Sequence, residues 1–430
     1  MAVMLQNFAD LVEELTTDTV TSTMPRYAKT KDSSSSSTVT SSKRIRYVPF
    51  ARGFKHRDEH ARLLALGFNK AANIPKEFSC GSLSGLKPTS SSPKSSALAA
   101  SSPLTGEVFF KPVPQPTSQD DWLAQYDEDG QTYRQFLEEN PWMSKRKVKY
   151  TKQPFCSTGA TLREKYPNGK VCVLQLGRFD SSCINFSDII DYTSRFLCLP
   201  VEELPPLDLE VKEGKVMLVD DPVARGHSMR STRIKRSELH SRFSSKTGHI
   251  QLRVDSVLSK LRMQIPPQAL CLIALTTLDL YGDASDLFVA GMAAGSQRVA
   301  VFSLRRYDPT ITFSKEHWYD LTTVPKPIPA PEKARLMIHR SCKLVVHEIL
   351  HLLGVDHCVF FDCCMNGSGH LVEDFRQPMH LCPVDLRKLH TLVGFDIGER
   401  YASLRAFYLR HGLKEEADWV ERRLDYLNSG

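Results

Sequence analysis

A chain of 430 residues with 41% hydrophobic side chains can bury a full core and still carry segments that pack poorly. Its 56 basic against 49 acidic side chains leave a formal charge of +7, a mild excess that does not by itself imply nucleic-acid binding. Eleven cysteines, an odd number with several in apolar runs, suit a reducing compartment better than a disulfide framework, so cytosol or nucleus is expected rather than secretion. The amino terminus MAVMLQNFADLVEEL lacks a basic region followed by an apolar run, and no stretch has the length and apolarity of a membrane span. Residues 1–46 read as a disordered segment around the serine run DSSSSSTVTSSKR. Residues 47–165 read as a helical region interrupted by a Ser/Pro-rich linker at about 80–105. Within it KHRDEHARLLALGFNKA has helical spacing. The block DDWLAQYDEDGQTYRQFLEENPW brings Trp122, Leu123, Phe136 and Trp142, expected to pack as a short helix because its aromatics would otherwise be exposed.

From Lys170 the pattern becomes α+β. VCVLQLG reads as a buried strand, FSDIIDYTSRFLCL as an amphipathic helix and VMLVDD as a further strand. The basic stretch at about 222–248, with Arg225, Arg230, Arg233, Lys235, Arg236 and Arg242, has no sustained apolar period and reads as a surface loop. QLRVDSVLSKLRMQ then predicts a helix and ALCLIALTTLDLY a central strand, while RKLHTLVGF and the last thirty or so residues read as terminal helices. Tyr281 and Tyr307 are polar candidates for a cleft, without an assigned role.

Between these elements lies HEILHLLGVDH. On a helix His347 and His351 stand one turn apart on one face, while Glu348 points into the adjoining space. Gly354 can take the left-handed conformation that turns the chain and brings His357 back as a third nitrogen ligand. Leu336, Leu344 and Val345 are available as the packed stripe of that helix. Three protein ligands leave one tetrahedral corner for water, which separates a catalytic zinc site from a closed structural one.

The motif and its continuation, CVFFDCCMNGSGHLVEDFRQPMHLCPVD, resemble the archaemetzincin branch of the metzincin zinc peptidases. That family carries HExxHxxGxxH, cysteines after the third histidine and a methionine turn beneath the metal. The resemblance implies a zincin-like α+β domain over residues 166–400, with a mixed twisted sheet, an active-site helix and a carboxy-terminal helix at 401–430. It makes residues 47–165 a pre-domain and RVAVFSLRRY the strand that pairs with an extended peptide substrate. It also implies a catalytic zinc on His347, His351 and His357, Glu348 as general base, Met365 in the methionine turn with Met379 as the alternative, and hydrolysis of peptide bonds. Cys358, Cys363 and Cys382 fall on the family's second cluster, which the resemblance makes a structural site for another zinc, but Asp385 stands where the family has its fourth cysteine. Cys364 and His380 compete for that place, and without a metal the cysteines are simply small buried residues. The expected partner is a peptide or protein substrate of a monomeric enzyme, with neither membrane nor nucleic acid. The alternative is a catalytically weak, metal-stabilised interaction module.

Overall fold

The computed structural model describes residues 54–81, 109–143, 155–179, 184–220, 234–245, 247–311 and 327–429. The segment 1–46, nearly all of the Ser/Pro-rich linker and residues 221–233 of the basic stretch lie outside these. Ahead of the sheet come the short helices α1 (Glu59–Ala65), α2 (Trp122–Gln125), α3 (Tyr133–Glu139) and α4 (Leu162–Lys165). The aromatic block is thus two helices rather than one. Thr132 starts the second with a capping box, its side chain accepting from the Gln135 backbone while Gln135 reaches back. Trp122, Phe136 and Trp142 are buried in the chain, as their aromatic character requires.

There follow β1 (Lys170–Leu176), α5 (Phe186–Leu197), β2 (Val201–Lys212), β3 (Lys215–Asp220), β4 (Lys235–Leu239), β5 (Ser241–Ser244), β6 (His249–Arg253), α6 (Val254–Leu261), β7 (Ala269–Thr276), β8 (Asp279–Tyr281), β9 (Gly291–Ala294) and β10 (Val299–Ser303). A seven-stranded mixed sheet has the order β4-β3-β2-β1-β7-β10-β9, and β5-β6-β8 form a smaller one. The inner strands β2, β1, β7 and β10 run parallel, and the edge strand β9 is antiparallel to β10. Alternation along β1 and β7 divides the core. Val171, Val173, Cys271 and Ile273 face one apolar cluster, and Cys172, Leu174, Leu272 and Ala274 face a second that includes α6. Burial on both faces explains why these strands read as unbroken apolar runs.

The first cluster also holds α7 (Ala330–Leu352), α8 (Leu371–Arg376), α9 (Pro383–Val393), α10 (Ile397–Arg410) and α11 (Lys414–Asn428). Phe136 and Trp142 from the helices ahead of the sheet and Phe407, Tyr408 and Val420 from the last two helices share that cluster with α7, so segments on both sides of the sheet in sequence contribute to one core. No helix among the described residues is long and apolar enough to cross a membrane.

Three local expectations are corrected. The second half of the basic stretch is not a loop, because Lys235–Leu239 pairs with β3 and Ser241–Ser244 with β6. KRSEL carries a single apolar residue, the buried Leu239, so no alternation betrays it. QLR belongs to β6, and the helix begins only at Val254. RVAVFSLRRY is not the strand open to a peptide: β10 covers only Val299–Ser303 and is paired on both sides, and Arg305–Tyr307 is a 3-10 turn. Among the described residues the edge beside α7 belongs to β9, whose four residues GMAA are too short and small to stand out.

Candidate metal centres

The second half of α7, from Ser341 to Leu352, is buried throughout, as befits a helix inside a core. Lys343 lies within it, its ammonium donating to the carbonyls of Asp374 and Gln377. After Leu352 the helix closes in a left-handed turn. Gly354 has φ 82°, its N–H donates to the His351 carbonyl and that of Val355 to Leu350. A Cβ at Gly354 would meet Asn140 Nδ2 at 2.5 Å, so glycine is required by both conformation and space. The turn carries His357 back towards the helix, with its ring centroid 5.6 Å from His347 and 5.1 Å from His351.

Hydrogen bonding fixes which nitrogen of each ring carries the proton. His347 Nδ1 lies 2.7 Å from the Cys364 carbonyl and His351 Nδ1 2.6 Å from that of Val355. A carbonyl only accepts, so Nδ1 is the protonated atom and each Nε2 presents a lone pair. These Nε2 atoms are 2.9 Å apart. Burial, and then the neighbouring imidazoles, pull His347 down to about 3 and His351 well below the ordinary histidine value, so neither is an imidazolium at neutral pH. His357 Nε2 is buried without a hydrogen-bond partner among the described residues. One ligand atom from each ring lies within 4.8 Å of the others. Converging buried lone pairs repel, and a cation relieves that repulsion, so the donor set fits a divalent metal of the zinc class.

Glu348 is 1% exposed, and neither of its oxygens has a hydrogen-bond partner among the described residues. Burial, reinforced by the nearby Asp374, raises its pKa far above the usual carboxylate range. Tyr307 is fully buried close to Asp374 and Glu348, whereas Tyr281 lies in the smaller sheet beneath the Arg242 guanidinium at 4.0 Å.

The sequence reading missed the contribution of residues 121–142 to this centre. Trp142 Nε1 donates to the Leu352 carbonyl, Asn140 Nδ2 to Leu353 and Gln131 Nε2 to Gly354, so side chains far away in sequence cap the last carbonyls of α7. Glu128 Oε1 lies 3.1 Å from His357 Nδ1, and the Trp122 ring stands edge-on to His357 at 5.0 Å. Burial opposes ionisation of Glu128, but His357 beside it holds its pKa below the usual value. A clasp fastens the same segment to α8. His370 Nε2 lies 2.8 Å from Asp121 Oδ1, and Glu373 Oε2 accepts from the backbone N–H groups of Trp122 and Gly369. Asp121, His370 and Glu373 are close enough to suggest a metal, but His370 Nδ1 accepts from the Glu373 N–H, so its ring has no lone pair to spare. A Cβ at Gly369 would lie 2.0 Å from the Asp120 carbonyl, which shows how tightly the clasp is drawn.

The cysteine cluster lies behind the histidines. Cys358, Cys363, Cys382 and Asp385 are brought together and buried. Asp385 Oδ2 accepts from Cys363 Sγ at 3.2 Å and Cys382 Sγ at 3.4 Å, and Cys358 Sγ is 3.5 Å from Cys382 Sγ. Burial opposes a thiolate at Cys358, but the neighbouring thiols of Cys363 and Cys382 outweigh it and bring its pKa well below the thiol value. Neither rival of Asp385 belongs to the set of converging ligand atoms. Burial pushes the Cys364 thiol up to about 12 and its carbonyl serves His347, while His380 stacks on Trp419 at 4.1 Å and 5°. A further partner escaped the sequence reading: Lys388 Nζ donates to Asp385 Oδ1 at 2.8 Å, with both side chains buried. Met365 is fully buried in a turn closed by the Asn366 N–H on the Cys363 carbonyl, while Met379 is buried with its carbonyl accepting from Tyr192.

Residues 321–391, which contain both clusters, match the model of peptidase family M54. Over that span the chain is similar to peptidase family M54. Archaemetzincin-2 of mouse is 36% identical over 173 residues, 38% of this chain and 48% of that protein, and archaemetzincin-1 of human is 34% identical over 175 residues, 38% of this chain and 35% of that protein. The chain thus spans about half the length, or less, of these curated relatives. Among solved structures, the archaemetzincin of Archaeoglobus fulgidus aligns with a TM-score of 0.31 at 20% identity, covering 51% of this chain and 99% of that one. That of Methanopyrus kandleri aligns with a TM-score of 0.32 at 23% identity, covering 51% and 94%. The M54 match begins at residue 321, so Glu128, Gln131, Asn140 and Trp142 all lie outside it.

Proposed function

We propose that the chain is a zinc-dependent metallopeptidase that hydrolyses peptide bonds. The observation that carries this reading is the convergence of three buried imidazoles, one ligand atom from each within 4.8 Å of the others, beside a buried carboxyl group with no hydrogen-bond partner among the described residues. His347, His351 and His357 would hold the ion. Zinc, when bound, supplies positive charge that acidifies water, polarises a carbonyl and offsets the burial that keeps Glu348 protonated. The chain's own residues do the rest. The carbonyls of Cys364 and Val355 keep His347 and His351 in the ligating tautomer. Glu348 takes the proton of the attacking water and returns it to the departing amine. The open edge of β9, beside α7, gives an extended peptide a row of backbone groups to pair with.

Cys358, Cys363, Cys382 and Asp385 would hold a second, structural zinc, for which a closed set of four donors and the absence of a solvent-facing corner are appropriate. Met365, rather than Met379, would form the methionine turn, because it lies on the same short turn as Cys363. The test combines metal analysis with a peptide-library digest. Glu348→Gln is expected to retain zinc and lose turnover by about 10²–10⁴-fold, the scale for a general base. A Glu348→Gln protein with full peptidase activity would sink the mechanism.

A further inference from the structure

Two of the three imidazoles are oriented from within the motif region, since His347 and His351 bond to carbonyls only 17 and 4 residues away. The third is not: its partner Glu128 precedes it by 229 residues. We propose that Glu128 is a positioning residue of the metal centre, holding His357 in the tautomer whose Nε2 faces the other two rings; this rests on the metal reading above. A carboxylate only accepts, so the proton of the His357 ring sits on Nδ1 and its buried Nε2 offers a lone pair. The Trp122 ring, its centroid 5.0 Å from that of His357 and its plane at 79° to it, restricts the alternative orientation. The placement of Glu128 is itself determined on both sides. Before it, Asp121 and the Trp122 N–H are fastened to His370 and Glu373, and after it Gln131 bonds to the Gly354 carbonyl and Asp356. The amino-terminal segment therefore contributes to a centre whose three imidazoles and Glu348 all come from the M54 span.

The test is metal affinity in the full-length chain, measured by competition with a chelator. Cobalt separates the two centres, because thiolate ligands give charge-transfer absorption that imidazoles do not. Glu128→Ala is expected to weaken the imidazole centre by about 10–100-fold, the usual effect of losing such a partner, and to leave cobalt at the cysteines unchanged. Glu128→Gln, whose amide oxygen still accepts from Nδ1, is expected to lose less. Nitrogen NMR of the metal-free protein supplies a readout that general loosening would not move. His357 should be the Nδ1–H tautomer in the parent and a mixture in Glu128→Ala. Equal affinities, or an unchanged tautomer in Glu128→Ala, would overturn the proposal. If the parent and His351→Ala bound cobalt alike, the metal reading beneath it would fall instead.

Discussion

Lys388→Met isolates the feature that distinguishes the cysteine cluster from a four-cysteine site. The ammonium sits 2.8 Å from Asp385 Oδ1, with the two side chains 1% and 0% exposed. Burial alone would lower the Lys388 pKa, but Asp385 holds it above the ordinary lysine value; burial pushes Asp385 up to about 6, so the pair is ionised at neutral pH. With a divalent ion on three thiolates and a carboxylate, an excess of two negative charges would remain beyond the reach of solvent, and Lys388 cancels one. Removing one member of a buried pair costs about 3–5 kcal/mol, a large part of the roughly 5–15 kcal/mol that holds a domain folded. Urea unfolding of the zinc-loaded protein should record that loss, with metal analysis showing depletion of the cysteine centre. Asp385→Asn with Lys388→Met should be destabilised by less than the two single changes summed, since the double change leaves no lone buried charge in the pair. A Lys388→Met protein within about 0.5 kcal/mol of the parent, with full metal content, would refute the reasoning.

The α7 turn and the clasp offer two further checks. Gly354→Ala places a Cβ in the left-handed region and against Asn140, and should destabilise the protein by about 1–3 kcal/mol in urea unfolding; a loss under about 0.5 kcal/mol would mean that the turn is not required. Burial, which outweighs two backbone hydrogen bonds, raises Glu373 to about 8. The folded state thus keeps a proton that the unfolded chain releases near its ordinary value of 4.5, and the stability this confers is full below 4.5 and declines as pH rises towards 8, by up to about 1.4 kcal/mol per pH unit. Glu373→Gln keeps an acceptor but does not titrate, so its stability should vary less across that window; identical pH profiles of the urea midpoint would exclude the assignment.

The parts of the centre legible in the sequence are those whose geometry is local. His347 and His351 are fixed by helical pitch, and His357 by a glycine three residues beyond His351, so spacing alone announces them. Strands such as β1 and β7 were legible because burial on both faces leaves an apolar run. β2 was hidden by Pro205 and Pro206 within VEELPPLDLEVK, and β9 by its brevity. Glu128 and Lys388 carry no local mark at all. Each looks like an ordinary charge on a polar stretch or helix face, and only the folded chain sets Glu128 against His357 or buries Lys388 beside Asp385.

The caps on α7 have a consequence for how the molecule is made. Trp142, Asn140 and Gln131 reach the carbonyls of Leu352, Leu353 and Gly354 across sequence separations of 210, 213 and 223 residues. During synthesis the amino-terminal helices emerge long before the helix end they will close. Contacts of such separation form late, because the intervening loop must first be closed at an entropic cost. The region matching M54 is therefore a span of sequence and not an independent folding unit. Expressed alone, it would expose those helix-end carbonyls and leave His357 without its distant carboxylate.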